Sequence, residues 1–565
     1  MKCISSQAAK SYFASLFFLA TIITSNPASA QVFKGSAGSL TIKAGEITFY
    51  PSENTTLSEI AAQFTQNPNN WQAIAKHNKL KTNQTMGIGS SIAIPSELLP
   101  EEPSQATVIA MAGEVMEIKK NGSESNLAMG NVVQEGSQLK TGKNGFLTLS
   151  LPDNSRISIP SNSQVAIAKL RMAKYTRSPR TEIRLVQGKV ESKVSPLSSN
   201  RGRFEVTSPL AIAGVRGTHF RVGVNENGIG NEVLEGGVAV GQQEKPNALV
   251  LPAGQGNIIN KTGVGNPVAL LQAPNLKTDY LLQERPALHF TVDSIPEAAR
   301  YRAQISLDMS AQNIIAESYS QENRFKFDGI ADGNYFIRLT AIDKNNLEGM
   351  PYVTAFKHKA NPIPPFTLQP KKKVRSETLE FLWTESSEAK SYHLQIAKDP
   401  SFQQIVTDQA NLKQTSFYTS QLPFGDYFWR VATVTETNGK PDQGPFSVPD
   451  AFTTLAPQTM NTFADSGSDQ LEFSWPGEAG QTYEVQVADE PSFKLPILNQ
   501  QSKQANLSMA RPAPGEYFIR VRATDADGFV GQFCKPQKFE IHMRWMTGSG
   551  ELLNSAGGTV RPNKP

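Results

Sequence analysis

Apolar and polar positions alternate along most of this chain with a period of two, in short runs that stop at glycine, proline or asparagine. Such runs predict half-buried β-strands. Leu40-Thr41-Ile42, Phe146-Leu147-Thr148-Leu149-Ser150-Leu151, Arg156-Ile157-Ser158-Ile159 and Phe204-Glu205-Val206 are examples. One stretch breaks the pattern. Leu57, Ile60, Ala61 and Phe64 recur at helical spacing, behind Thr55 or Thr56 as the N-cap, with Ser58 or Glu59 following at the capping-box position. A second short helix carries Trp71, Ile74 and Ala75, and Ile92-Ala93-Ile94 returns to alternation. Residues 96–105 are polar, contain proline and read as a linker. Residues 173–182 (A-K-Y-T-R-S-P-R-T-E) read as an exposed loop.

Beyond residue 280 the alternation itself repeats. Phe290, Trp383 and Trp475 stand 93 and 92 residues apart, followed by Tyr301, Tyr392 and Tyr483. Gly333-Asn334-Tyr335-Phe336-Ile337-Arg338 returns as Gly425-Asp426-Tyr427-Phe428-Trp429-Arg430 and Gly515-Glu516-Tyr517-Phe518-Ile519-Arg520. A period of about 92 filled with short strands predicts one β-sandwich per repeat, over 280–360, 366–456 and 459–545. These three repeats resemble fibronectin type III or Ig-like modules.

The strand, two helices, strand order over 39–99 resembles a LysM domain, on T-L-S-E-I-A, W-Q-A-I-A-K-H-N and I-G-S-S-I-A-I-P. That resemblance implies a shallow site for N-acetylglucosamine-containing glycan between two loops. By position these are Asn54, Thr55, Thr56 and Leu57, and Met86, Gly87, Ile88 and Gly89. The family's usual Gly-Asp-Thr-Leu is replaced here by the longer Glu53-Asn54-Thr55-Thr56-Leu57.

The strands of 107–274 resemble an all-β FecR domain. Ala112-Gly113-Glu114-Val115, Leu151-Pro152-Asp153-Asn154-Ser155 and Leu185-Val186-Gln187-Gly188-Lys189-Val190 match in family order. Val215-Arg216-Gly217-Thr218-His219-Phe220-Arg221 is the most specific piece. The best-known members pass a signal from an outer-membrane transporter to a sigma factor through an N-terminal half that crosses the inner membrane. Here a different N-terminal segment stands in that place, so the resemblance implies an envelope interaction domain and not the anti-sigma mechanism.

Composition narrows the function. The 565 residues carry a formal net charge of +4, which excludes bulk nucleic-acid binding as the main role. Charge is uneven, however, with twelve Lys/Arg against three Glu between Lys169 and Arg221. Arg177, Arg180 and Arg184 within it are candidates for a surface that meets an acidic partner. Lys2 and Lys10, the apolar run from Tyr12 to Ile23 and Pro27-Ala28-Ser29-Ala30 make the three parts of a secretory signal over 1–30, with cleavage before Gln31. No later stretch approaches the run of about 18 apolar residues that a spanning helix needs, so no transmembrane segment is expected in the mature chain. The small, polar residues 546–565 predict a disordered tail.

Catalytic, metal and cofactor signatures are missing from the sequence. There is no G-x-S-x-G, no H-E-x-x-H and no P-loop, and Cys3 and Cys534 are the only cysteines. Asp525-Ala526-Asp527-Gly528 lacks the acidic residue that would complete a calcium loop, Lys535 standing there, and reads as a turn. The expectation is a mainly β, multidomain, non-enzymatic protein of the periplasm or cell surface, with no cofactor. Its partners would be peptidoglycan and an envelope protein. A periplasmic sensor acting on a separate membrane partner and a surface adhesin are the alternatives.

Overall fold

The structure is a computed structural model that describes residues 35–43, 45–81, 85–196, 202–215, 217–242, 249–277, 280–465 and 468–544, with the backbone of 554–555 and 558–559. The expected signal segment lies outside the described residues, as does the tail apart from a ladder between Asn554–Ser555 and Gly558–Thr559. Among the described residues the fold is mainly β, with many sheets and two short α-helices. It divides into two compact units, 1–269 and 270–565. Among the described residues no helix is long and apolar enough to cross a membrane.

In the first unit, strands Leu40–Lys43, Glu46–Phe49 and Ile92–Pro95 form a three-stranded antiparallel sheet. Helices Leu57–Thr65 and Trp71–His77 pack over it. The capping choice left open by the sequence falls on Thr56, whose hydroxyl accepts from the Glu59 amide while the Glu59 carboxylate accepts from the Thr56 amide. The helix stops where Gln66 turns left-handed ahead of Pro68. Asn78 then ties the second helix to the sheet, donating to the carbonyls of Ile74 and Ala93 and accepting from the Ala93 amide.

Two larger sheets follow, packed face to face over one aliphatic core that includes Leu139, Leu147, Ile157, Ile183, Phe220 and Val240. One contains the neighbouring strands Arg156–Ile159, Lys189–Lys193, His219–Asn225 and Gly228–Glu235. The other contains the hairpin of Gln164–Ala173 and Pro179–Gln187, with Arg203–Thr207 parallel to the latter, then Ala211–Val215, Gly237–Gln242 and Leu249–Pro252. In Arg156–Ile159 the inward side chains are Ile157 and Ile159 and the outward ones Arg156 and Ser158, which is the alternation of the sequence made physical.

The stretch 96–105 is not a free linker. Glu101–Pro103 runs antiparallel along 171–173, and the Ser104 amide donates to Leu170. Nor is 173–182 an exposed loop: Ala173, Thr176, Ser178, Arg180 and Thr181 are all buried.

The second unit holds three successive pairs of sheets. Each pair closes over its own aromatic core, around Phe290, Phe381 and Phe473. The register corrects the repeat alignment. Phe290, Phe381 and Phe473 each face the antiparallel partner strand at Phe325, Phe417 and Leu507, so they are the equivalent residues and Val292 holds the place of Trp383 and Trp475. Each repeat shares a local lock in which the hydroxyl of Tyr335, Tyr427 or Tyr517 donates to the carbonyl four residues back, at Ala331, Pro423 or Ala513. The geometry is that of a tyrosine corner. In the second repeat Arg430 bonds Gln395 and lies between the rings of Phe402 and Phe446. Arg520, Gln486, Phe493 and Phe533 repeat this in the third. The first repeat has Ala311 at the Phe position and buries Arg302 between Glu317 and Glu348 instead.

Candidate functional site

The two loops singled out for glycan lie side by side. Thr55–Thr56 and Thr85–Met86 form a two-residue antiparallel ladder, Thr55 facing Met86 and Thr56 facing Thr85. Leu57 and Met86 are buried and anchor the loops to the core. Asn54, left-handed at φ 66°, starts the first loop, and the Thr55 hydroxyl donates to Ser52 across it. The second loop turns through Gly89 at φ 90°, with the Ser90 amide donating to Gly87. Gly87 and Ile88 stand exposed, Ile88 at 68%. A β-carbon added at Gly87 would meet nothing within 4 Å.

The loop residues themselves carry no charge, offer the hydroxyls of Thr55 and Thr56, and have one apolar edge at Ile88. Such a surface can hydrogen-bond acetamido and hydroxyl groups while the edge packs on a sugar ring. The exposed Glu59 carboxyl adjoins it at Thr56, held below the usual carboxylate range first by the Thr56 amide and then by the Thr56 hydroxyl. Sequence reasoning missed Thr85, which pairs with Thr56; only the ladder register reveals it.

The three arginines proposed as a partner surface are not brought together. Arg177 is exposed at the hairpin tip and Arg184 is exposed farther along its strand, but Arg180 is buried. The physical reason is cross-strand charge. Arg171, Arg180 and Arg203 stand opposite one another in register, and carboxylates cover them. Glu101 lies 3.6 Å from Arg180 and 2.7 Å from Lys169, Glu135 makes a bidentate pair with Arg171, and Glu205 pairs with Arg203. Glu135 is held below its ordinary range chiefly by its hydrogen bond to Arg171. Beside this row lies a cleft of about 760 Å³, lined by residues that include Glu97, Glu101, Glu182, Arg203, Gly214 and Ala239.

Two motifs find structural partners. His219 Nε2 lies 2.7 Å from Glu191. Asp525 pairs with Arg375 and Lys373, and Asp527 with Lys373, so the turn at 525–528 receives cations from the preceding repeat. Among the described residues no three His, Cys, Asp or Glu gather as a metal-binding group.

Set beside known proteins, residues 137–239 match the model of the family described as FecR protein. Among curated proteins no relative matches the chain. Two crystal structures of a putative anti-sigma factor from Parabacteroides distasonis, at 1.65 and 2.50 Å resolution, are similar at 19% and 18% identity, each with a TM-score of 0.19. The match covers 23% of this chain and 57% of the anti-sigma factor, so this chain spans little more than half of that relative's length. The FN1–FN3 domains of chicken CNTN1 are similar at 12% identity and a TM-score of 0.18, over 47% of this chain and 97% of that one.

Proposed function

We propose that this chain is an exported, non-enzymatic envelope protein that attaches to peptidoglycan through its LysM-like module, 39–99. It would present its FecR-matching region and three fibronectin-like sandwiches to an envelope partner in the periplasm. The observation that supports attachment is the juxtaposition of 54–57 and 86–89 by the Thr55–Thr56 ladder, with Gly87 and Ile88 free at its rim. The tyrosine corners at Tyr335, Tyr427 and Tyr517 support the sandwich reading of the repeats.

The test is co-sedimentation of the whole mature protein with insoluble peptidoglycan. Gly87→Glu combined with Ile88→Glu puts two charges where the sugar would lie, without touching the core. The wild type should pellet and the double variant stay in solution; equal pelleting of both refutes the assignment. A shallow sugar site is weak singly and holds because the wall offers many tethered copies.

A second reading, signal reception by the two-sheet region matching FecR protein over 137–239, is favoured by that match alone. It predicts that Arg177→Glu with Arg184→Glu loses capture of an envelope protein while peptidoglycan sedimentation is unchanged. Capture that survives both changes refutes a role for these two arginines.

A further inference from the structure

We infer that the hairpin of Gln164–Ala173 and Pro179–Gln187 couples the 54–57/86–89 groove to the large sheet that contains the hairpin, so that occupying the groove stiffens that sheet. The inference deepens the glycan reading and rests on it for the identity of the ligand.

The small module does not close its own core. Ala173, fully buried, belongs to the same apolar cluster as Ile47, Leu57, Ile60 and Phe64, although it comes from the hairpin. Next to it Tyr175 sets its ring edge-on against Phe64 at 6.0 Å, and Phe64 in turn packs on Phe49 at 4.8 Å. The Lys174 amide donates to Pro100 at 2.8 Å, and Glu101–Pro103 extends the hairpin's sheet. Glu101 then binds Lys169 and Arg180, one on each hairpin strand. Apolar, backbone and ionic contacts therefore join module and hairpin at one place.

The route from there to the groove is a single rigid element. Helix Leu57–Thr65 carries Phe64 near one end, against Tyr175, and begins at Thr56 and Leu57 at the other. Nine residues of helix span about 14 Å. The groove's own ladder is only two residue pairs long, so its shape depends on that helix being seated. With the tip undocked, Phe64 and its neighbours lose the side chains that cover them, and the helix is free to shift. A sugar that fits only the seated arrangement favours the docked tip. By the same linkage a weakened tip lowers the fraction of competent grooves, and apparent affinity falls by that fraction.

Hydrogen–deuterium exchange on the whole mature chain tests this, with an N-acetylglucosamine pentamer as the probe. Sugar should slow exchange at 55–65 and also at 165–172 and 179–185. Tyr175→Ala should speed exchange at 57–65 about tenfold without sugar and weaken sugar binding roughly threefold to tenfold, whereas Tyr175→Phe should match the wild type. Protection confined to 55–65 overturns the coupling, and so does a Tyr175→Ala variant whose 57–65 amides exchange as in the wild type. If calorimetry finds no sugar binding, the glycan reading fails alone, and the ligand-free comparison still decides the coupling. Should Tyr175→Ala not fold, Tyr175→Leu, which keeps an apolar body on Phe64 without the ring, takes its place with the same criteria.

Discussion

Replacing Arg302 with methionine should destabilise the first repeat by about 3–5 kcal/mol, the cost of breaking a buried ion pair by removing one partner. Nη2 of Arg302 lies 2.7 Å from Glu317, and Nη1 lies 3.1 Å from Glu348. The arginine is 2% exposed, and the two glutamate side chains 4% and 1%. Burial works against its charge, yet Tyr319, Glu348 and Glu317 together hold the guanidinium well above its usual pKa. Methionine fills similar volume, so packing contributes little and the cost is electrostatic: two carboxylates lose their buried cation. Thr340 still donates to Glu348 at 2.9 Å, which softens the loss without neutralising the charge.

That loss is a large share of the roughly 5–15 kcal/mol that holds a domain folded. Its pH dependence carries a sign. Protonating a carboxylate removes the unpaired buried charge, so the deficit of the variant against wild type should shrink as pH falls. Urea unfolding of the full chain at several pH values, with hydrogen exchange at 298–306 and 333–343 to locate the change, measures both. A loss below about 1 kcal/mol, or one that stays constant with pH, would refute the electrostatic reasoning.

Tyr427→Phe deletes the bond to Pro423 and should cost about 1 kcal/mol in the second repeat, read as a shift in its denaturant midpoint. The Asp399 carboxyl is pulled down to about 2, first by the Ser401 hydroxyl and then by the Gln403 amide. Its contribution is complete above the unfolded pKa near 4 and is lost as pH falls through about 2, so Asp399→Asn should be less stable than wild type at pH 7 and converge with it in strong acid. Nuclear magnetic resonance titration of that carboxyl with a midpoint at or above 4 would remove this account.

Much of the local structure was legible because its causes are local. The Thr56–Glu59 capping box joins residues three apart, and each tyrosine corner reaches four residues back. Alternation marked the strands because each has one face on a core, as in Arg156–Ile159. The period near 92 marked the second unit, yet the aromatic match slipped by two positions in the first repeat. Val292 occupies the tryptophan place, and nothing in its chemistry distinguishes it before the Phe290–Phe325 register is known. The paired loops of the groove were placed by resemblance, while Thr85 waited on the ladder.

What the sequence could not disclose is which charged stretch is solvated. Residues 173–182 have the composition of a surface loop, because burial there depends on partners far along the chain. Phe64 covers Tyr175, and Glu101 meets Arg180. Alternation records that one face of a strand is buried; only tertiary structure decides whether the polar face meets water or a carboxylate, since Coulomb attraction and desolvation depend on distance in space and not on spacing in sequence.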